Sequence, residues 1–161
     1  MGVAARINTL SKLASKGDLR AAYLDQTFGR QPILLSNQHF LYVAAINYDT
    51  VGKNKFRAPN LKRDYAFNEN DLLGIAIDAF NDKRNAIVFQ SNAYGVQRDL
   101  LAFDDMNYDV DWDGLYRVRT HQSDSAWVAE FAIPWQTLRY PNVKNRDAQN
   151  WGINFFRVRR T

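Results

Sequence analysis

Between residues 71 and 99 the chain alternates its side chains with a period of two, and this restricts the fold more than any other feature. Leu73, Ile75, Ile77 and Ala79 fall on one side of an extended segment, and Leu72, Gly74, Ala76 and Asp78 on the other. The polar run Asn81, Asp82, Lys83, Arg84 and Asn85 then interrupts the pattern with turn-forming residue types. A second apolar run follows through Ile87, Val88 and Phe89. Two adjacent strands joined by a polar turn are predicted, so the protein is built on a sheet.

The rest of the chain extends that pattern. Over residues 39–49, Phe40, Tyr42, Ala44, Ile46 and Tyr48 share one face, while Leu41, Val43 and Ala45 share the other. Both faces are largely apolar, which predicts a central strand. Residues 50–70, with Gly52, Pro59 and many Lys, Asn and Arg residues, read as a long exposed loop. Residues 95–103 lead into an acidic segment over 104–113. Residues 115–120 and 126–133 form a further strand pair around a turn at 121–125, and 151–158 is the last strand. Pro134 opens a single helical turn to Leu138, where its missing N–H costs nothing. Near the start, Val3, Ile7, Leu10 and Ala14 recur at helical spacing before Gly17. The predicted division is a short helix or loosely ordered arm over 1–17 and a β-sandwich over 18–161. About six to nine short strands separated by turns argue for an all-β antiparallel sandwich.

Composition removes several function classes. The 161 residues suit one domain, with 46% apolar and 24% charged residues, as in folded globular chains. No apolar run approaches the ~20 residues of a membrane-spanning helix, and residues 1–17 lack a secretory apolar core, so no signal peptide is expected. With no cysteine there is neither a disulfide framework nor a thiolate metal site. The net charge of +4 is spread over small groups, Lys53, Lys55, Arg57, Lys62 and Arg63 and then Arg157, Arg159 and Arg160. Such scatter describes a solvated basic surface, and no nucleic-acid partner is expected. The two histidines, His39 and His121, lie in no nucleophile arrangement, and no glycine-rich phosphate loop is present. A non-catalytic domain is predicted. Glu130, strand-borne among apolar neighbours, is expected to pair with an arginine such as Arg117 or Arg157.

Of the four tryptophans, Trp127 and Trp151 alternate with apolar residues and are expected in the core, with Trp135 packing a corner. Trp112, in the acidic segment, and Tyr94, on a turn before Gly95, are the candidates to stack on a ligand. Gln90 and Arg98 are their candidate polar partners. Asp109, Asp111 and Asp113, followed by Gly114, have the D-x-D-x-D-G spacing of a calcium loop. The twelfth loop position is Thr120 and no helix flanks it, which excludes an EF-hand. The alternatives are a structural calcium site of another kind, or a turn in which Asp113 accepts backbone N–H groups.

The order of these signals resembles one family. It runs from Gly74-Ile75-Ala76-Ile77-Asp78 through Ala129-Glu130-Phe131-Ala132-Ile133-Pro134 to Trp151-Gly152-Ile153-Asn154-Phe155. Over residues 35–160 the chain is similar to the family 9 carbohydrate-binding-module-like (DOMON-like) domains that precede outer-membrane β-barrels in Gram-negative bacteria. The resemblance implies a jelly-roll-like β-sandwich, an oligo- or polysaccharide ligand, structural calcium, a periplasmic or cell-envelope location and an associated barrel. It also locates departures. The family's sugar-stacking tryptophan falls at Asn68, beside Phe67; its sugar-binding glutamate falls at Gly74; and its arginine falls at Gln90. The opening segment of the family is echoed only by Gly17-Asp18-Leu19. Two functions follow: a glycan-binding module using Trp112, Tyr94, Gln90 and Arg98, or an interaction domain of a cell-envelope protein that has lost sugar binding.

Overall fold

Strict alternation over short apolar runs gives this chain two faces to bury, and two stacked sheets bury them. The structure is a computed structural model that describes residues 20–23, 32–50, 52–104, 107–141 and 150–160. The helix expected over 1–17 lies outside the described residues. The strands are β1 (Arg20–Tyr23), β2 (Ile33–Ser36), β3 (Phe40–Tyr48), β4 (Leu72–Asp78), β5 (Asn85–Asn92), β6 (Gln97–Phe103), β7 (Asn107–Asp109), β8 (Arg117–Gln122), β9 (Ala126–Pro134) and β10 (Gly152–Val158). A 3-10 turn, Phe67–Glu69, precedes β4. The first sheet has the order β1-β2-β3-β9-β8, and the second β10-β4-β5-β6-β7. All pairings are antiparallel. The chain changes sheet after β3, after β7 and after β9, so strands distant in sequence lie side by side, in a jelly-roll-like arrangement. No helix among the described residues is long and apolar enough to cross a membrane.

The predicted strand pair is β4–β5, with Ile75 opposite Phe89 and Ile77 opposite Ile87. Its turn is held by its own carboxylates: Asp78 accepts N–H bonds from Phe80 and Lys83 at 3.1 and 2.8 Å, and Asp82 accepts from Arg84 and Asn85 at 2.8 Å each. Leu73, Ile75, Ile77 and Phe89 face Val43, Ala45, Trp127, Phe131 and Ile133 of the other sheet in one core cluster. Each such buried side chain stabilises by about 1.5–3 kcal/mol. Tyr116 bridges the layers, its ring 4.9 Å edge-on from Phe89 and stacked 6.2 Å from Phe131. Its hydroxyl donates to the carbonyls of Gln90 and Arg98.

Central β3 is hydrogen-bonded to β2 and β9, as its two apolar faces predict. Trp127 is fully buried and Trp151 packs against the core from its margin. Trp135 packs the corner, 5.8 Å from Trp151, with its Nε1 donating to the Asn37 carbonyl at 2.7 Å. The turn after Pro134 forms through Thr137 and Leu138 N–H bonds to the carbonyls of Pro134 and Trp135. The loop after β3 differs from expectation, because it is anchored as well as exposed. Phe56 and Tyr65 are buried, and Phe56 meets the Trp127 ring at 6.4 Å. The acidic segment contains the short edge strand β7, whose exposed polar residues carry no core signal.

Candidate functional site

Three surfaces gather the chemistry of this fold. The first is the outer face of the second sheet, where the register sets Phe156, Gly74, Gln90 and Arg98 in one row across β10, β4, β5 and β6. Two of the three positions named by the family resemblance, Gly74 and Gln90, therefore meet in space. They are filled. A β-carbon added at Gly74 would lie no more than 2.5 Å from three carbons of the Phe156 ring, so that ring occupies the place of a longer side chain. Gln90 is buried and its Oε1 accepts from Arg98 Nη1 at 3.2 Å. The Arg98 guanidinium also stands 5.8 Å above the Phe67 ring, within cation–π range. Of the four candidate glycan residues, Gln90 and Arg98 are thus brought together, though engaged with each other.

The other two lie apart from them. Tyr94 sits on the β5–β6 turn, 39% exposed, and its hydroxyl donates to the Asn54 carbonyl at 3.2 Å. Trp112 is half-buried on the inner side, edge-on to Phe89 at 6.2 Å. It lines a cleft of about 320 Å³ with Phe80, Phe103, Ile87, Leu101 and Arg139. Its walls are mostly apolar, with Asn85 and Arg139 as the polar side chains among them.

The second surface is the acidic segment, and an arginine organises it. Asp99, on the inner face of β6 with its side chain fully buried, accepts from Arg63 Nη2 at 2.7 Å and from the Gly114 N–H. Asp113 pairs with the same guanidinium at 3.1 Å, which also donates to the Gly114 carbonyl at 3.3 Å. Gly114 permits this closeness, since a β-carbon there would stand 2.6 Å from the Trp112 ring and 3.2 Å from Asp99 Oδ2. Burial pushes the Asp99 pKa up, against the pull of the Gly114 N–H and Arg63. Burial acts to lower the Arg63 pKa, but Asp99, Asp113 and Asp64 outweigh it and raise it. Asp109 accepts the Asp111 N–H at 3.1 Å while Asp113 turns to Arg63. Among the described residues no three Asp, Glu or His side chains form a group able to hold one metal ion.

The third surface was not singled out from the sequence. On the outer face of the first sheet, Tyr42, Ala132 and Arg117 form one row across β3, β9 and β8, and Ala44, Glu130 and Arg119 form the next. Phe40 precedes Tyr42 on the same face, the two rings 5.7 Å apart. Phe40, Tyr42, Arg117, Arg119, Glu130 and Ala132 line a groove of about 320 Å³. Its depth comes from alanine: Ala132 lies low between the taller side chains of Tyr42 and Arg117. Asn37 sets the aromatic wall, its Oδ1 accepting the N–H bonds of His39 and Phe40 at 2.9 and 2.8 Å and its Nδ2 donating to the Tyr42 hydroxyl at 3.4 Å. Arg117 and Arg119 are exposed, and neither forms a side-chain hydrogen bond or ion pair with another described residue. The neighbour that pairing gives Glu130 is Arg119, whereas Arg157 binds the buried Asp49.

An aromatic wall, a shallow apolar floor and planar charged groups around the rim can hold a flat, hydroxylated ring. No protein-family model matches the chain, and no curated protein matches its sequence. The fold is that of a β-sandwich similar to a Bacteroides uniformis protein whose assignment as carbohydrate-binding is itself provisional. The crystal structure of that protein matches with a TM-score of 0.63 and 10% identity, over 93% of this chain and 76% of that one. At this identity the likeness is one of fold.

Proposed function

We propose that this protein is a non-catalytic glycan-binding domain of the family 9 module-like kind, and that its binding surface is the groove of Phe40, Tyr42, Arg117, Arg119 and Glu130. One observation carries the choice of surface: the groove is open, whereas the row at Gly74 is closed by Phe156. Its volume of about 320 Å³ sits at the lower end of the range for small-ligand sites. The similar fold of the Bacteroides uniformis protein supports the ligand class. In this reading Tyr42 and Phe40 meet the C–H face of a sugar, and Glu130 accepts its hydroxyl protons.

A glycan array followed by calorimetric titration tests the reading. Tyr42→Ala is expected to weaken binding by about tenfold, the value of one aromatic contact of ~1.4 kcal/mol. Gln90→Ala, on the opposite sheet, is expected to leave affinity unchanged. Loss of binding in Gln90→Ala alone would move the site to the second sheet. The rival reading, an interaction domain without sugar binding, draws support from the Phe156 ring at Gly74, and a folded sample that binds no glycan on the array would favour it.

A further inference from the structure

The described arginines differ in what holds them: Arg57 donates to the Glu69 carbonyl and Arg98 to Gln90, while others pair with carboxylates. Arg63, Arg84, Arg157 and Arg159 each stand within 4.0 Å of an aspartate. Arg117 and Arg119 have no such partner among the described residues, yet they share one face of edge strand β8, two residues and about 7 Å apart. Exposed cations commonly face only water. These two instead form one rim of a groove whose other rim is aromatic.

The row geometry sets what would fit. From Tyr42 across Ala132 to Arg117 is two strand spacings, about 10 Å. A single pyranose ring fills that width with its C–H face toward Tyr42. Its substituents then point at Arg117. Guanidinium presents a planar fork of donors that matches a carboxylate at two points. Glu130 lies directly across from Arg119, whereas the Arg117 row holds no carboxylate, so Arg117 is the primary seat for an anionic group, with Arg119 beside it on the same face. We infer that the groove selects acidic glycans, with a uronate carboxylate held by Arg117 and Arg119 and the sugar ring stacked over Ala132 against Tyr42. This rests on the glycan-binding reading above and names its ligand class.

The test titrates the full chain with a panel of oligouronides of differing stereochemistry, each beside its methyl ester. Esterification keeps the shape and removes the charge. The acid form of at least one member is expected to bind about tenfold or more tightly than its ester, as charge-assisted pairing requires. Its affinity should fall as salt rises. Arg117→Gln and Arg119→Gln, both at exposed positions, should bring acid and ester to equal affinity within each variant and leave the melting temperature unchanged. Equal binding of acid and ester would overturn the inference while leaving glycan binding intact. Binding of dextran sulfate as tight as that of the oligouronide would overturn it too, reducing the effect to net positive charge. If uronides, esters and neutral oligosaccharides all fail to bind, the glycan reading itself falls.

Discussion

Substituting alanine for Gly74 should have opposite effects in two backgrounds. In a strand interior Gly→Ala normally stabilises by about 0.5–1 kcal/mol, because glycine loses more backbone freedom on folding. At Gly74 the added carbon would approach three carbons of the Phe156 ring to 2.5 Å or less. Carbon atoms rest at about 3.5–4.0 Å, so the ring must retreat by ~1 Å or more. Overpacking of that size costs about 1–3 kcal/mol. The net expectation for Gly74→Ala is a loss of about 1 kcal/mol, or roughly 2–4 °C in melting temperature for a domain of this size. With Phe156→Ala as background the obstacle is gone, and the same change should stabilise by about 0.5–1 kcal/mol. Urea unfolding of the four proteins gives the coupling directly, expected near 1.5 kcal/mol. A Gly74→Ala effect of the same sign and size in both backgrounds would refute the claim that Phe156 fills this site.

Three further outcomes follow from the acidic segment. Asp99→Ala leaves the Gly114 N–H and the Arg63 guanidinium without their buried acceptor, and should destabilise by about 3 kcal/mol in chemical unfolding. Arg63→Ala should cost at least as much, since it strands the fully buried Asp99 carboxylate, whereas Arg63 in Asp99→Ala is 39% exposed and keeps Asp113; a clearly smaller loss would refute this account. Because burial raises the folded-state pKa of Asp99, the native state takes up its proton more readily than the unfolded chain. That contribution is complete below the ordinary carboxylate value of 3.8 and is lost as pH climbs through the raised one. The stability difference between wild type and Asp99→Asn should therefore narrow as pH rises across that window, and widening would contradict the sign. Finally, with Asp113 committed to Arg63, millimolar calcium or a chelator should leave the melting temperature unchanged, whereas a calcium-dependent rise would restore a cation site at Asp109 and Asp111.

The fold was legible wherever a strand had a clear inside. β4, β9 and β10 each carry apolar residues at alternate positions, and their observed bounds fall within a residue of expectation, while β5 extends on both sides of the apolar run at Ile87 to Phe89. β7 was not legible, because Asn107, Tyr108 and Asp109 are all exposed and their pairing with β6 is backbone alone. The predicted sites fared by the same physics. Gln90 and Arg98 are adjacent because they are cross-strand partners. Trp112 and Tyr94 are separated from them because sequence proximity to a polar loop does not fix which side of a sheet a residue serves. The groove was invisible for a related reason. Phe40 and Tyr42 look like core residues of an apolar strand, and only register reveals that they lie across Ala132 from Arg117. The polar alternation of Arg117 and Arg119 was the available signal.

β4 closes with β5 locally, but its other neighbour, β10, comes from the far end of the chain. During synthesis Leu72–Asp78 is therefore complete, with one row of backbone amides and carbonyls unmatched, long before Gly152–Val158 exists to cover it. Such long-range pairing makes for slow folding, since loop-closure entropy must be met before the contact forms. The nascent protein passes through a stage in which this apolar strand is an open template for any extended chain nearby. Truncation ahead of β10 should therefore yield aggregates, not a smaller soluble sandwich.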